Sequence, residues 1–126
     1  TLFVSFGYFL KNEQAKSANK AFICFKEGNK FLKSNEISDN AFIITNQSPI
    51  VYYYTQKKNN IYPEPWSIKN LNEVVAKQKA IGRSYVYFSN YDMDVKSEIK
   101  KDLDNSFKKV FECKKDWGYS AVYQLQ

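Results

Sequence analysis

The chain reads as an α/β domain, a three-layer Rossmann-like arrangement with a mainly parallel sheet and a C-terminal antiparallel hairpin. Three observations predict it. Stretches with helical apolar spacing alternate with short, continuously apolar runs of strand length, as expected of βα units whose strands are buried on both faces. Polar turn residues that can start a helix follow two of those runs, at Asn46-Gln47-Ser48-Pro49 and at Asn90 to Asp94. Two β-rich stretches near the end are joined by the five residues Lys114 to Gly118, a loop short enough to set them antiparallel. A chain of 126 residues suits one domain, able to bury roughly two thirds of its unfolded surface. Aromatic residues make up 17% of it and supply a core despite a polar mean hydropathy, so disorder is not expected.

Residues 1–17 stand apart as an apolar N-terminal segment, and residues 18–126 form the α/β domain. The run Thr1 to Leu10, TLFVSFGYFL, is nearly all apolar, yet a bilayer-spanning helix takes about 20 residues. It fits either a buried element added to the domain or the end of a transmembrane helix. The start at Thr1, with no initiator Met and no charged region before an apolar one, reads as a fragment of a longer polypeptide.

Helical spacing runs from about Ala18 to Ser34. Ala21, Phe22, Phe25, Gly28, Phe31 and Leu32 recur at three- and four-residue intervals, with Lys20, Lys26, Glu27, Asn29, Lys30 and Lys33 mostly on the other side. Gly28 on the apolar face costs about 1 kcal/mol of helix propensity but permits close approach to a strand. Asn35 to Asn40 is a loop by its turn-forming residues. Ala41 to Thr45 is the first strand, and Ser48 as N-cap with Pro49 at the first helical position opens a brief helix. Ile61-Tyr62 is a short strand that can pair beside the first. Pro63 and Pro65 exclude regular helix around Glu64, giving an extended or turning segment that ends on Trp66.

The next helix is capped by Ser67 or Asn70, with Glu73 in capping-box spacing from Asn70, Leu71, Val74, Val75, Gln78 and Ile81 facing inward, and Gly82 at its C′ position. Ser84 to Ser89 is a strand by its β-branched and aromatic content. Asp92 or Asp94 caps a helix to about Phe107, with Val95, Ile99, Leu103 and Phe107 on one face. Val110 to Cys113 and Tyr119 to Leu125 form the hairpin.

Nineteen Lys and Arg against thirteen Asp and Glu leave a net charge of +6, which favours anionic partners. Eighteen of the nineteen are scattered lysines, so a solvated surface is the favoured reading and nucleic acid is not the expected partner. The chain has no His, which excludes His-dependent triads and His-containing zinc sites within it. Cys24 and Cys113 are too few for a closed zinc site, and no metal or cofactor is expected. Two unpaired buried thiols are the favoured reading, and a disulfide the alternative in an oxidising compartment.

No residue is assigned a catalytic role. Asn46, Gln47 and Ser48 at the carboxyl end of a strand can offer backbone N–H groups to an anion, but without the glycines of a phosphate loop they read better as a plain strand–helix turn. The same three residues match a glycosylation sequon, which Pro49 disfavours. Glu64, Asp92 and Asp94 can place carboxylates along one sheet edge; capping and solvation is the simpler account. Tyr52-Tyr53-Tyr54 can stack on sugars or bases, whereas core packing with hydroxyls at the rim is favoured, because three successive helical residues point to different faces. Lys114-Lys115 beside Trp117 suits lipid headgroups or simply a solvated hairpin tip. The weak ligand-binding candidates are therefore Asn46, Gln47, Ser48, Tyr62, Glu64 and Trp66, lining one rim of the sheet.

The stretch AFIITNQSPIVYYYTQKK with YPEPW, then a helix, SYVYFSN, a further helix and a Trp/Tyr-rich hairpin, resembles the C-terminal soluble domain of bacterial GT-C membrane glycosyltransferases related to protein mannosyltransferases and the lipid A aminoarabinose transferase. The resemblance spans about Ala18 to Gln126 and is most specific in the strand, the Asn-x-x-Pro turn and the tyrosines after it. It implies an extracytoplasmic domain on the periplasmic side of the bacterial inner membrane. The parent enzyme would move a sugar from a polyprenyl-phosphate donor. Its catalytic acids would lie outside this chain, and the domain would assist binding of a polysaccharide or lipid acceptor. The implied partners are the membrane portion of the same polypeptide and anionic lipid headgroups. The alternatives are a freestanding basic module binding nucleic acid or another anion, and a small hydrolase using Ser48 or the carboxylates.

Overall fold

The structure, a computed structural model, describes residues 22–46, 48–78, 82–91, 97–115 and 118–125. In chain order these form α1 (residues 22–33), β1 (Phe42–Thr45), α2 (Ser48–Thr55), β2 (Asn59–Asn60), α3 (Ile68–Lys77), β3 (Ser84–Ser89), α4 (Ser97–Ser106), β4 (Lys108–Lys114) and β5 (Tyr119–Leu125). The fold is mixed α/β, with five strands in the order β2-β1-β3-β5-β4 and, among the described residues, four helices. The apolar segment at 1–17 lies outside the described residues. None of the described helices is long and apolar enough to cross a membrane.

The sheet is mixed where a mainly parallel one was expected. β1 runs parallel to β2 and β3, but β3 is antiparallel to β5 over six register positions, from Ser84 opposite Leu125 to Ser89 opposite Ser120. Burial explains the order. β5 carries five buried residues and takes an interior place, while β4 is mostly half-buried or exposed and forms the edge. Lys108, Lys109 and Lys114 along β4, with a register shift between Lys109 and Phe111, discourage pairing with another chain. The other edge, β2, is two polar residues long. The expected strand at Ile61-Tyr62 thus moves to Asn59-Asn60, because an edge strand needs backbone pairing rather than apolar side chains. Tyr62 instead turns into the core.

Side chains alternate between the two faces of the sheet, and each face has its own cluster. Phe42, Ile44, Val86, Phe88, Ala121 and Tyr123 pack with Leu71 of α3 and Ile99 and Leu103 of α4. Ile43, Tyr85, Tyr87 and Val122 pack with Phe25 and Leu32 of α1 and Val51 of α2. The apolar face expected of α1 is the buried one. Asn29, expected on its wet side, is 3% exposed and donates its side-chain N–H to the Phe25 carbonyl at 3.0 Å. Gly28 is the close-approach point: a Cβ there would lie 2.3 to 2.5 Å from the hydroxyl and ring of Tyr87.

Ser67 caps α3, its hydroxyl accepting from the Asn70 backbone N–H at 2.9 Å. Asn70 is therefore not the cap; its side chain donates to the Pro65 carbonyl at 2.7 Å and ties the proline segment to the helix. α3 closes at Gln78, whose backbone N–H returns to Val75, so Gly82 is not its C′ residue. Gly82 serves a contact instead, since a Cβ there would meet the Asn40 carbonyl oxygen at 2.7 Å. Ala18 to Ala21, Ile81, Asp92, Asp94 and Val95 lie outside the described residues.

Two further expectations are overturned. Cys24 and Cys113 form a disulfide with Cα atoms 5.4 Å apart, joining α1 to β4. The thiols meet because both sit on the α1 side of the sheet, a proximity across 89 residues that spacing cannot reveal. Tyr52, Tyr53 and Tyr54 are not core residues but 52%, 76% and 39% exposed. α2 buries only Val51 and Thr55 among its described side chains, since one narrow stripe of a two-turn helix reaches the sheet.

Candidate functional site

The rim expected to bind ligand begins where β1 ends. Parallel pairing sets Thr45 beside Tyr87, so the chain leaves β1 and β3 at the same edge, and Asn46 follows half-buried. Gln47 lies outside the described residues, and Ser48 opens α2 with its side chain likewise outside the description. Glu64 is exposed.

Tyr62 and Trp66 are brought together, with ring centroids 5.6 Å apart and planes at 66°. Both serve the core on the α3 and α4 side. The Tyr62 hydroxyl donates to the Tyr87 carbonyl at 2.7 Å, and burial raises its pKa well above the usual tyrosine value, so it stays a neutral donor. The Trp66 indole N–H donates to an Asp102 carboxylate oxygen at 2.9 Å, pinning the proline segment to α4. Of the six sequence-predicted residues, Glu64 is thus the described one with an exposed side chain, while Tyr62 and Trp66 hold the edge in shape.

A denser polar group escaped sequence reading. Lys100 and Asp104 on α4, Lys109 and Glu112 on β4, and Tyr119 and Tyr123 on β5 converge on one patch. Lys100 meets Asp104 at 2.8 Å; Lys109 bridges Asp104 at 3.2 Å and Glu112 at 2.6 Å. The Tyr123 hydroxyl donates to Asp104 at 2.5 Å and that of Tyr119 to Glu112 at 2.8 Å. The Lys100 ammonium sits 4.8 Å from the Tyr119 ring centroid, in cation–π range. Only the Lys100–Asp104 pair, four residues apart on one helix, was legible beforehand.

The charges decide what this group can do. Partial burial alone would raise the Asp104 carboxyl, but hydrogen bonds from Lys100, Tyr123 and Lys109 outweigh it and bring the pKa down to about 2. Glu112 is lowered by its hydrogen bonds from Lys109 and Tyr119. Both carboxylates are held ionised by these hydrogen bonds and ion pairs, and through Asp104 they brace the hairpin against α4. A group whose folded pKa is depressed stabilises the fold above its unfolded pKa and loses that contribution as pH falls. The stability difference between wild type and Asp104→Asn should therefore be constant above about pH 4 and vanish toward pH 2. Solvent screening keeps it near 1 kcal/mol or below, and urea melts across that pH range would read it. A difference that persists at pH 2 would count against the ionised brace.

At the opposite end of β3 lies an open cleft of about 320 Å³ lined by Asn72, Gln78, Arg83, Ser84, Phe107 and Leu125 among others. Among its described lining residues, Arg83 is the charged one. Among the described residues, no group of three or more metal-ligating side chains occurs. The exposed tyrosines of α2 are the other feature sequence reading misplaced. No family model, curated protein or solved structure matches this chain.

Proposed function

We propose that the chain is a non-catalytic, extracytoplasmic domain of a bacterial GT-C membrane glycosyltransferase that uses a polyprenyl-phosphate sugar donor, and that it helps hold the acceptor beside the membrane-embedded catalytic part. The observation that carries the extracytoplasmic placement is the Cys24–Cys113 disulfide, because such bonds persist in oxidising compartments and are rare in the cytosol. The non-catalytic part rests on Ser67, Tyr62, Trp66, Asp104 and Glu112, whose polar groups are engaged in capping, pinning or bracing. The two-sided core suits the three-layer, Rossmann-like arrangement expected of such a domain. Asn46, Ser48 and Glu64 are the residues of the sheet edge through which an acceptor would be met, with Tyr62 and Trp66 behind them.

Two readings test this. The coding sequence upstream of Thr1 should contain several apolar segments of about 20 residues. In cells denatured in the presence of a maleimide, Cys24 and Cys113 should stay unmodified unless a reductant is added first. A wholly polar upstream region, or thiols that react without reductant, would reject the proposal.

A further inference from the structure

All the large apolar residues that are markedly exposed among the described elements avoid α3, α4 and β4. Ile23 lies on α1, and Ile50, Tyr52, Tyr53 and Tyr54 lie on α2; Ile61 follows β2, and Tyr91 stacks on Phe25 of α1. α1 and α2 share one face of the sheet through Phe25, Leu32 and Val51. Their outward sides therefore form one surface of the molecule. On α2, Ile50, Tyr53 and Tyr54 fall at i, i+3 and i+4 and make one stripe, with Tyr53 opposite the buried Val51 and Thr55. On α1, Lys26, Lys30 and Lys33 are exposed on the side away from Phe25 and Leu32, with Glu27 the acid among them. From Ala41 to Pro63 the chain has no acidic residue.

We propose that this α1–α2 surface seats on an anionic bilayer, with the tyrosine stripe at headgroup depth and the α1 lysines against the phosphates. Tyrosine has an apolar ring and a polar tip and is favoured at the membrane interface, and each lysine near an anionic surface adds attraction. A sugar-stacking platform fits less well: the Tyr53 and Tyr54 rings are 5.4 Å apart but at 82°, so they offer no common flat face. The surface differs from the hairpin tip that the sequence suggested for headgroups. It names a partner surface for the proposed membrane-associated domain but stands on its own geometry. Vesicle binding and the upstream coding sequence can fail independently.

The test is flotation of the chain, disulfide intact, with vesicles of pure phosphatidylcholine and of phosphatidylcholine containing phosphatidylglycerol. Binding to the anionic vesicles at low salt, at least about tenfold weaker on neutral ones and largely lost at 0.5 M salt, is expected from the screening of lysine–phosphate attraction. Tyr53→Ser/Tyr54→Ser and, separately, Lys26→Gln/Lys30→Gln should each weaken it about tenfold, while far-UV circular dichroism and the cooperative thermal melt, reporting the fold, are retained. Equal binding by the tyrosine variant would overturn the proposal. So would absence of binding at low salt, self-association that the tyrosine variant abolishes in place of vesicle binding, or retention on a glycan column without vesicle binding. All the substituted side chains are exposed, so unfolding does not confuse the outcome.

Discussion

Replacing Cys24 and Cys113 together by alanine is expected to lower the unfolding free energy by about 4 kcal/mol, more than any surface substitution in this molecule. The bond closes a loop across 89 residues, and the chain-entropy relation for a loop of that size gives a value between about 4 and 5 kcal/mol. Alanine leaves no buried hydroxyl in the apolar site, so the loss chiefly reports the link itself. For a domain of this length the melting temperature should fall by about 10 °C or more, and wild type treated with reductant should fall with it. The variant should still fold, because α1 remains held by Phe25 and Leu32 in the core and by the Ser120 hydroxyl, which donates to the Cys24 carbonyl at 2.6 Å. A wild-type melt unchanged by reductant, and matched by that of the alanine pair, would show that the link adds nothing to stability.

Gly28→Ala should destabilise although it improves helix propensity. The propensity gain is about 1 kcal/mol. Against it stands a methyl group within 2.3 to 2.5 Å of the Tyr87 ring and hydroxyl, contacts that cannot exist without movement. Tyr87 has little room to yield, because it is fully buried, stacks on Phe25 with centroids 5.8 Å apart, and donates its hydroxyl to the Phe25 carbonyl at 2.5 Å. Overpacking of this kind costs about 1 to 3 kcal/mol, so the net change should be a loss of about 1 kcal/mol. A double-mutant cycle separates the two effects. In a Tyr87→Leu background the far ring atoms are gone, and Gly28→Ala should become neutral or stabilising. If alanine costs the same in both backgrounds, the contact with Tyr87 is not why glycine stands at position 28.

The two substitutions also mark the limit of sequence reading. That Gly28 lies on the buried face of a helix and permits a strand to approach was legible, since 3.6-residue periodicity needs no knowledge of the partner. That the partner is Tyr87, 59 positions away, was not, because nothing local couples them. Ser67 was legible as one of two candidate caps, because a capping bond closes three residues on, but the choice of Ser67 over Asn70 was not. Tyr62 and Trp66 looked like rim residues because proline, glutamate and aromatic side chains make a surface-like segment. A tyrosine hydroxyl and an indole N–H can nevertheless be buried when a carbonyl and a carboxylate receive them, as those of Tyr87 and Asp102 do. In α2 the error ran the other way. Apolar composition suggested burial, and a two-turn helix over the edge of a sheet can bury only one stripe.

What the sequence determined by itself was local: the alternation of helices and strands, a helix start at Ser67 or Asn70, the polar turn after β1, the C-terminal hairpin and the absence of histidine from this chain. These depend on propensity and on hydrogen bonds that close within a few residues. The tertiary structure alone decided the rest. β5 entered the sheet beside β3 and made it mixed, because its buried side chains needed cover on both faces. Cys24 reached Cys113 because α1 covers the face of the sheet to which the Cys113 side chain of β4 turns. Asp104 gathered two lysines and Tyr123 from three elements, and the tyrosines of α2 stayed outside because only the Val51–Thr55 stripe of that short helix reaches the sheet. Each depends on which residues distant in the chain come to share a surface, and that is settled only by packing.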